Sequence, residues 1–530
     1  MKKAHWVVLT GFAILVYFLR FSTLFQSVIN WDETVFLLMG RSLLRGEIPY
    51  TTVWEHSPMG TPVLFALAQA LLGQSVLSIR ILTWVAVTTE CFLLYLLGSS
   101  IGVGEPASRS RGVEMGVIAG LLYAAFSLNN GGLSAHRELM LAPFVTLAII
   151  LFLSARAGAS GPARISSVRL LLIGLLLGFA LQIKYLYVFE FIALWLIAMA
   201  SLLFERRDGA SGFLAEAVRY TVLLAAGPVA LVTLIGAYFA SVGHFPDFLR
   251  TNFIAAAAYA QGESFSIHLA LRKVLDQWYP NFLLWLSLIL APLYLLVVRD
   301  VDRRERRNLI YLLIWAGCAF VGVCFSGRFF DHYWLEMLPP LCSIAALIVV
   351  GLLRAYARPA AIGYGLALAL VLAGPLHATM FAPLVSNAGL LYRHTFRGQA
   401  YPVDTAARVS AYLNDRVGQD DSIYVVDYEP VVYYLVNAKA PTRFVFPLFL
   451  ILESSQGVPG IDPLRELRAI MDNQPRYVVR VNPPSRDLTN RAFAADVDSY
   501  LRASYALETS IPGADARTTQ PISVEMYRRR

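Results

Sequence analysis

Two adjacent acids, Asp32 and Glu33, follow the first apolar segment of the chain, in the stretch Asn30-Trp31-Asp32-Glu33-Thr34. A charge costs about 2.5 to 3.5 kcal/mol at the centre of a membrane helix and less towards the headgroups, so a pair this close to lipid adds no stability. Because a positioned carboxylate can accept a proton from a reacting hydroxyl, the pair predicts a catalytic carboxylate at a membrane surface. The alternative interpretation is an ordinary polar helix end in water.

The composition is that of an integral membrane protein. Of 530 residues, 57% are hydrophobic and 15% are charged, and the mean hydropathy is +0.57. The net charge of +8 does not indicate a nucleic-acid partner, because the arginines form short clusters between apolar runs, where they orient membrane helices. The four cysteines lie in apolar stretches without a Cys-x-x-Cys pair, so we expect core thiols.

Eleven apolar segments are long enough to cross a bilayer, which takes about 20 residues. Their predicted limits are 6–28, 76–98, 113–129, 139–155, 169–183, 186–204, 220–243, 281–298, 308–326, 335–353 and 360–380. Alternate connections carry basic clusters, namely Lys2/Lys3, Arg109/Arg111, Arg156/Arg164/Arg169, Arg206/Arg207, Arg303/Arg304/Arg306/Arg307 and Arg354/Arg358. Such clusters are typical of cytoplasmic loops, so the N-terminus is predicted to be cytoplasmic and the residues after the eleventh segment external.

The remaining connections and the C-terminal part lie outside in this topology. Two long outer loops, about 30–75 and 244–280, contain amphipathic stretches and are predicted to form helices on the membrane surface. From residue 385 the long apolar runs stop, so residues 1–384 are predicted to be the transmembrane module and 385–530 a small soluble α/β domain. The predicted elements of this domain are helices at 404–416, 429–437 and 463–472 and strands at 423–427 and 477–481.

Ionisable residues from several outer connections share the predicted side of Asp32 and Glu33. They are His136, Arg137 and Glu138 before segment four, Lys184 between segments five and six, and Arg328, Asp331 and His332 between segments nine and ten. Carboxylates can act as bases, and cations stabilise negative charge in a water-poor site. We therefore expect the chemistry at the outer mouth of the helix bundle.

Several short motifs occur in order along these outer connections. They are Trp31-Asp32-Glu33, Leu43-Leu44-Arg45-Gly46-Glu47-Ile48-Pro49-Tyr50, Ser78-Ile79-Arg80, His136-Arg137-Glu138-Leu139, Gly178-Phe179-Ala180-Leu181-Gln182-Ile183-Lys184-Tyr185 and His332-Tyr333-Trp334-Leu335. Their order over residues 30–340 resembles the GT-C superfamily of polytopic glycosyltransferases, especially the bacterial branch related to protein O-mannosyltransferases and lipid A aminoarabinose transferases. One motif departs: many relatives carry Lys-Pro-Pro where this chain has His56-Ser57-Pro58, so a lysine assigned to donor or metal chemistry is missing.

The resemblance implies a polytopic α-helical membrane protein of the GT-C type, with about eleven transmembrane helices and a small C-terminal α/β periplasmic domain. It implies transfer of a sugar from a polyprenyl-phosphate donor to a cell-envelope acceptor, which could be lipid A or lipopolysaccharide, another glycan or a protein. The reaction would take place at the periplasmic face of the bacterial inner membrane, with inversion at the anomeric carbon. A donor with its lipid tail in the bilayer requires an active site at the mouth of the helix bundle.

The resemblance also implies roles for the outer residues. The expected catalytic residues are Asp32 as base, Glu33 as sugar ligand or support for Asp32, and Glu138 as holder of the acceptor or a metal ion. The expected donor-phosphate residues are Lys184, Arg328 and His332. The expected substrate-lining residues are Trp31, Trp54, His56, Arg137 and Tyr185. No cofactor is required by the sequence, although a divalent metal is compatible with it.

Simpler interpretations stay open for individual residues. Arg137 and Glu138 could form an interfacial ion pair worth about 0 to 1 kcal/mol, and Lys184 could extend from a helix end towards the headgroups. At the level of function, the alternatives are an O-antigen-type polymerase or ligase and a lipid or solute transporter such as a flippase. A transporter should carry charges near the bilayer midplane, whereas the ionisable residues here are expected to cluster at one mouth.

Overall fold

The structure is a computed structural model that describes residues 3–101, 106–157, 165–204, 209–261, 266–278, 280–297, 303–356, 377–418, 420–453, 458, 460–515 and 520–530. Backbone contacts divide the chain into two compact units. The first comprises Met1–Phe21, Leu82–Ile235 and Phe265–Arg397, and the second Ser22–Ile81, Gly236–Ser264 and Gly398–Arg530. The predicted division into residues 1–384 and 385–530 separates membrane-embedded from soluble residues, whereas the two units are defined by backbone contacts. The predicted division stays a prediction.

The first unit consists of apolar helices, which satisfy their backbone hydrogen bonds internally, as lipid requires. Its helices are Lys3–Arg20, Val76–Ile101 from Leu82 onward, Pro106–Phe126, Arg137–Ala157, Ser167–Ile183, Val188–Phe204, Gly209–Ser241 as far as Ile235, Ile267–Trp278, Phe282–Val297, Arg303–Phe325, Leu338–Tyr356 and Ala382–Arg397. Short 3₁₀ segments at Tyr185–Tyr187 and Asp331–Met337 precede two of them.

The chain is a multi-pass membrane protein. Among the described residues, seven helices are long and apolar enough to cross a membrane, and there are eight if Ile267–Trp278 and Phe282–Leu296, bent by 107°, form one broken span. These coincide with eight of the eleven predicted segments. Of the other three, 113–129 lies largely in helix Pro106–Phe126 and 169–183 lies in the shorter helix Ser167–Ile183. The eleventh, 360–380, lies outside the described residues except for its last turn.

Glycine allows two helices of the first unit to approach each other closely. A Cβ added at Gly227 would lie 2.1 Å from the carbonyl carbon of Gly174, and one added at Gly174 would lie 2.5 Å from the carbonyl oxygen of Leu224. Small residues at helix contacts allow backbones to touch, and this dispersion contact is a main source of helix association in lipid. Helices Ser167–Ile183 and Gly209–Ser241 are therefore joined at a position where only glycine fits.

The second unit combines helices from both long outer loops with an α/β layer from the C-terminal residues. The helices are Trp31–Leu44, Gly60–Leu72, Phe245–Leu249, the π-helix Arg250–Ala255, Ala256–Gln261, Thr405–Asn414, Val431–Leu435, Leu448–Ile451, Pro463–Asp472 and Arg491–Ser504. The strands are β1 Ile423–Val425, β2 Tyr477–Asn482, β3 Tyr505–Ala514 and β4 Pro521–Arg529. The outer-loop helices were expected from the sequence; their position on the membrane surface stays a prediction.

The sheet has the order β1-β2-β4-β3, in which β1 and β2 are parallel and the other pairs are antiparallel. The predicted strands at 423–427 and 477–481 become β1 and β2, and the three predicted C-terminal helices are also present. The hairpin of β3 and β4 was not predicted. Among the described strands, β3 pairs with β4 alone. It is largely exposed and contains Pro512, so its sequence lacks the apolar alternation that signals a strand.

We predict that Gly227→Ala destabilises the first unit. The new methyl group would overlap the backbone of Gly174, and overpacking of this kind costs about 1 to 3 kcal/mol. Gly317→Ala is the matched control, since a Cβ at that helical position would enter open space. Thermal unfolding in detergent, monitored by size-exclusion chromatography, should show a lower transition temperature for Gly227→Ala and an unchanged one for Gly317→Ala. Equal transitions for the two variants would contradict the tight contact.

Candidate functional site

The predicted acid pair lies in the first turn of helix Trp31–Leu44, in the second unit. Asn30 has an extended backbone and caps this helix, because its side-chain oxygen accepts a hydrogen bond of 3.0 Å from the Asp32 N–H. The N-terminal end of a helix carries a partial positive charge, which stabilises carboxylates in the first turn. The local sequence thus fixes two acids where the helix favours their charged form.

The two acids have different surroundings. Glu33 is buried and forms a bidentate ion pair with Arg80, with N–O distances of 2.6 and 2.7 Å, and it accepts a third bond of 2.7 Å from the Ile29 N–H. Arg80 also donates to the carbonyl of Gln26 at 3.2 Å. Asp32 is half-buried. Of the two roles expected for Glu33, these contacts favour support of Asp32 over binding of a sugar.

C-terminal residues hold the far end of the same helix. Arg41 donates to the carbonyls of Tyr433 and Tyr434 at 3.1 and 3.0 Å, and its guanidinium carbon lies 4.5 Å from the centre of the Tyr434 ring. The Tyr434 hydroxyl donates to Gln69 at 2.8 Å. Burial lowers the pKa of Arg41 to about 10, so the side chain is still a cation at neutral pH. A cation at the end of helix Val431–Leu435 also complements the helix dipole.

The two tryptophans expected to line the substrate are packed inside the second unit. Trp31 meets Phe446 edge to face at 6.4 Å, and Trp54 meets Phe449 in the same way at 4.8 Å. The Trp54 indole N–H donates to Thr251 at 3.2 Å. These contacts give both indoles a packing role. Stacking on a sugar stays a prediction for them.

His56 belongs to a small polar group in the second unit. Its Nδ1 lies 2.8 Å from the buried carboxylate of Glu55, which also accepts a hydrogen bond of 3.1 Å from the Ser57 hydroxyl. The stretch that replaces the Lys-Pro-Pro motif therefore contains a carboxylate and an imidazole in contact. His56 itself is half-buried.

Lys184 is the centre of a buried charge cluster in the first unit. It follows helix Ser167–Ile183 in an extended conformation, which ends the helix and turns the side chain inward. Its Nζ donates to Glu138 at 2.8 Å and to Glu336, and it lies 3.8 Å from the centre of the Tyr333 ring. All three charged side chains are at most 5% exposed. One cation thus faces two carboxylates and an aromatic ring.

Two histidines border this cluster in the first unit. The rings of His136 and His332 are stacked with centres 4.4 Å apart, and the His332 Nε2 lies 4.0 Å from Glu138. Imidazole nitrogens and carboxylate oxygens are the donors that Zn²⁺ and related divalent ions bind in proteins. Glu138 is already bound to Lys184, so a divalent metal at this cluster stays a prediction.

The other expected residues of the first unit have less distinctive positions. Arg137 and Tyr185 are half-buried and adjoin Glu138 and Lys184 in sequence. Arg328 is half-buried, and its backbone N–H donates to the Ser326 hydroxyl at 3.4 Å. The structure thus gathers Glu138, Lys184 and His332 in one cluster. The cooperation of these residues with Asp32 in one reaction stays a prediction from the sequence.

Glu336 and Glu90 are buried acids that were not predicted as site residues. Glu336 is the second residue of the predicted segment 335–353, and Glu90 lies within the predicted segment 76–98, where it accepts a hydrogen bond of 2.7 Å from Thr146. An ionisable residue inside a membrane span costs free energy, so its presence there often marks a functional position. The positions of Glu336 and Glu90 inside predicted segments could therefore have been noticed from the sequence. Glu90, which lies inside span Val76–Ile101, departs from the expectation that ionisable residues cluster at one mouth of the helix bundle.

Comparison with known proteins gives matches at the level of structure alone. No protein-family model and no curated protein sequence matches the chain. ArnT from Cupriavidus metallidurans, solved with bound undecaprenyl phosphate, is similar with a TM-score of 0.60 and 16% identity, covering 99% of this chain and 98% of that one. The same protein without ligand gives a TM-score of 0.57.

The archaeal oligosaccharyltransferase AglB from Archaeoglobus fulgidus, in complex with an inhibitory peptide and a dolichol-phosphate, is also similar. The TM-score is 0.54 with 14% identity, and the match covers 90% of this chain and 69% of AglB. ArnT and AglB are both GT-C glycosyltransferases. The predicted resemblance is therefore confirmed at the level of the fold, because similarity at identities this low shows the fold alone.

We predict that Arg80→Met destabilises the second unit, because it leaves the Glu33 carboxylate buried without its partner. Breaking a buried ion pair in this way costs about 3 to 5 kcal/mol. The double variant Glu33→Leu/Arg80→Met removes both charges and should recover much of the loss. The measurement is thermal unfolding of the purified protein in detergent.

The control for this prediction is Arg476→Ala, which breaks the more exposed pair of Arg476 and Asp421. Exposed pairs contribute about 0 to 1 kcal/mol, so the control should unfold nearly as the unaltered protein does. A loss as large for Arg476→Ala as for Arg80→Met would refute a special structural role for the buried pair.

Proposed function

We propose that the protein is a membrane glycosyltransferase that moves a sugar from a polyprenyl-phosphate donor to a cell-envelope acceptor. The observation that carries the proposal is a fold shared along 99% of the chain with ArnT, whose solved structure contains undecaprenyl phosphate. AglB, in the second similar structure, holds a dolichol-phosphate, which is the same chemical class of ligand. A carboxylate pair at a helix start and a buried lysine cluster supply the residue types that the reaction requires.

The proposed reaction is a single displacement at the anomeric carbon. The acceptor hydroxyl attacks this carbon and loses its proton to Asp32, while the bond from carbon to the phosphate oxygen breaks and its electrons leave with the polyprenyl phosphate. Attack opposite to the leaving group inverts the configuration. Glu33, fixed by Arg80, supports Asp32, and a positioned base of this kind contributes about 10²- to 10⁴-fold in rate.

The leaving polyprenyl phosphate requires fixed positive charge, since negative charge develops on it as the bond breaks. Lys184 is the proposed phosphate-binding residue, with Arg328 and His332 in support, and Glu138 is proposed to hold the acceptor or a divalent metal. Lys184 is already bound to two carboxylates, so phosphate binding must alter these contacts. Trp31, Trp54, His56, Arg137 and Tyr185 keep their proposed substrate-lining role.

We place the reaction at the periplasmic face of a bacterial inner membrane, with a cytoplasmic N-terminus and external C-terminal residues. The support for this topology is the alternation of basic clusters between apolar segments. The acceptor is a lipid, a glycan or a protein of the cell envelope.

A transporter of lipid-linked molecules is the second candidate, and Glu90 is the observation that favours it. Buried carboxylates inside spans are common in transporters and proton relays. The distinguishing measurement is chemical: in the presence of acceptor, purified glycosyltransferase releases free polyprenyl phosphate from a labelled lipid-linked sugar, and a transporter does not.

We predict that Asp32→Asn abolishes transfer while expression and membrane insertion are retained, because the amide cannot accept the proton. The measurement is complementation of a deletion strain, read by mass spectrometry of its lipid-linked sugars and envelope glycans. The deletion strain should accumulate the lipid-linked donor, and the strain complemented with the unaltered gene should not. The control Asp420→Asn, which removes a fully exposed acid, should prevent the accumulation as well. Complementation by Asp32→Asn would exclude this residue as the base.

We predict that Lys184→Ala raises the donor concentration needed for half-maximal transfer, because the leaving phosphate loses its proposed cation. The assay is initial rate against donor concentration in detergent or nanodiscs. Mass spectrometry of the lipid-linked sugars in the deletion strain identifies the donor to use in this assay. An unchanged dependence on donor would contradict phosphate binding and would leave Lys184 as a structural partner of Glu138 and Glu336.

A further inference from the structure

In the Lys184 cluster, one ammonium group faces two carboxylates, those of Glu138 and Glu336. An ammonium group has three N–H donors. Two of the Lys184 donors are directed to Glu138 and Glu336, and the aromatic face of Tyr333 lies 3.8 Å from the nitrogen. An incoming phosphate must therefore take the place of one of these partners or share the ammonium with them.

Glu336 is the partner that we expect to exchange. Glu138 lies in the first turn of helix Arg137–Ala157, His332 approaches it within 4.0 Å, and the proposed reaction already uses it to hold the acceptor or a metal. Glu336 lies in the 3₁₀ segment Asp331–Met337, directly before helix Leu338–Tyr356, and has no part in the proposed reaction. Glu138 should therefore stay on Lys184, and Glu336 should yield.

The donor and the product of the proposed reaction differ in charge. A glycosyl phosphodiester carries one negative charge, whereas the released phosphomonoester carries up to two at neutral pH, because its second pKa is about 6. Coulomb repulsion from a fixed carboxylate is proportional to the charge of the ligand. A carboxylate beside the phosphate site therefore opposes binding of the product about twice as strongly, in free energy, as binding of the donor.

We infer that Glu336 is a positioning residue that acts through Lys184 as a counter-charge, selecting against the phosphomonoester product and so promoting its release. The inference rests on the proposed function, since it takes a polyprenyl phosphodiester as donor. It assigns to Glu336 a role in charge selectivity that is separate from proton transfer and from contact with the sugar.

The test uses two lipid probes that differ in charge: undecaprenyl phosphate and its methyl ester, which is a phosphodiester. Dissociation constants are measured in nanodiscs at pH 8, where the first probe is largely a dianion. Glu336→Gln should bind undecaprenyl phosphate about ten-fold more tightly than the unaltered protein, and the methyl ester only about three-fold more tightly. The change in selectivity between the probes is the readout, because a loss of structure would weaken both alike.

Two further variants make the result interpretable. Glu336→Asp keeps the charge and should keep the selectivity of the unaltered protein. Glu90→Gln removes another buried carboxylate, one that is bonded to Thr146, and should also leave the selectivity unchanged. Unchanged selectivity in Glu336→Gln, or an equal change in Glu90→Gln, would overturn the inference while leaving the proposed function in place. Absence of binding of either probe to the unaltered protein would overturn the proposed function and the inference with it.

Discussion

The buried ion pair of Glu33 and Arg80 is the contact on which the arrangement of the long loop at about 30–75 depends. Two charges with 1% exposed side chains are tolerated only when they face each other with good geometry, and the two bonds of 2.6 and 2.7 Å provide it. Successive residues of a helix point about 100° apart, so fixing Glu33 also fixes the direction of Asp32. The contacts of Glu33 are therefore structural, and the catalytic role of Asp32 stays a proposal.

Both ends of helix Trp31–Leu44 are held by polar contacts. Asn30 and the Glu33–Arg80 pair hold its first turn, and Arg41 binds the last carbonyls of helix Val431–Leu435 near its other end. The C-terminal residues are thereby linked to the loop that carries Asp32, which explains why contacts group them in one unit. C-terminal residues whose sequence showed no catalytic motif therefore contact and help to position the loop at about 30–75.

The sequence predicted those features that local patterns encode. Apolar run length predicted most of the spans, and strand and helix periodicity predicted β1, β2 and three C-terminal helices, because these signals depend on residues near each other in the chain. Partners distant in sequence were not predictable in this way. The contact of Lys184 with Glu336 joins residues separated by 152 positions, and the contact of Arg41 with Tyr433 joins residues separated by 392.

Charge balance separates the structural from the functional interpretation of the buried ions. Glu33 and Arg80 are one anion and one cation, and a matched pair of this kind is what a structural contact requires. Around Lys184, one cation faces two carboxylates, and a purely structural contact gains nothing from the second buried acid. An imbalance of this kind makes sense where a charged ligand enters and leaves. Under the proposed function, the second acid beside Lys184 is explained by a phosphate that must bind and then depart, rather than by the stability of the helix bundle.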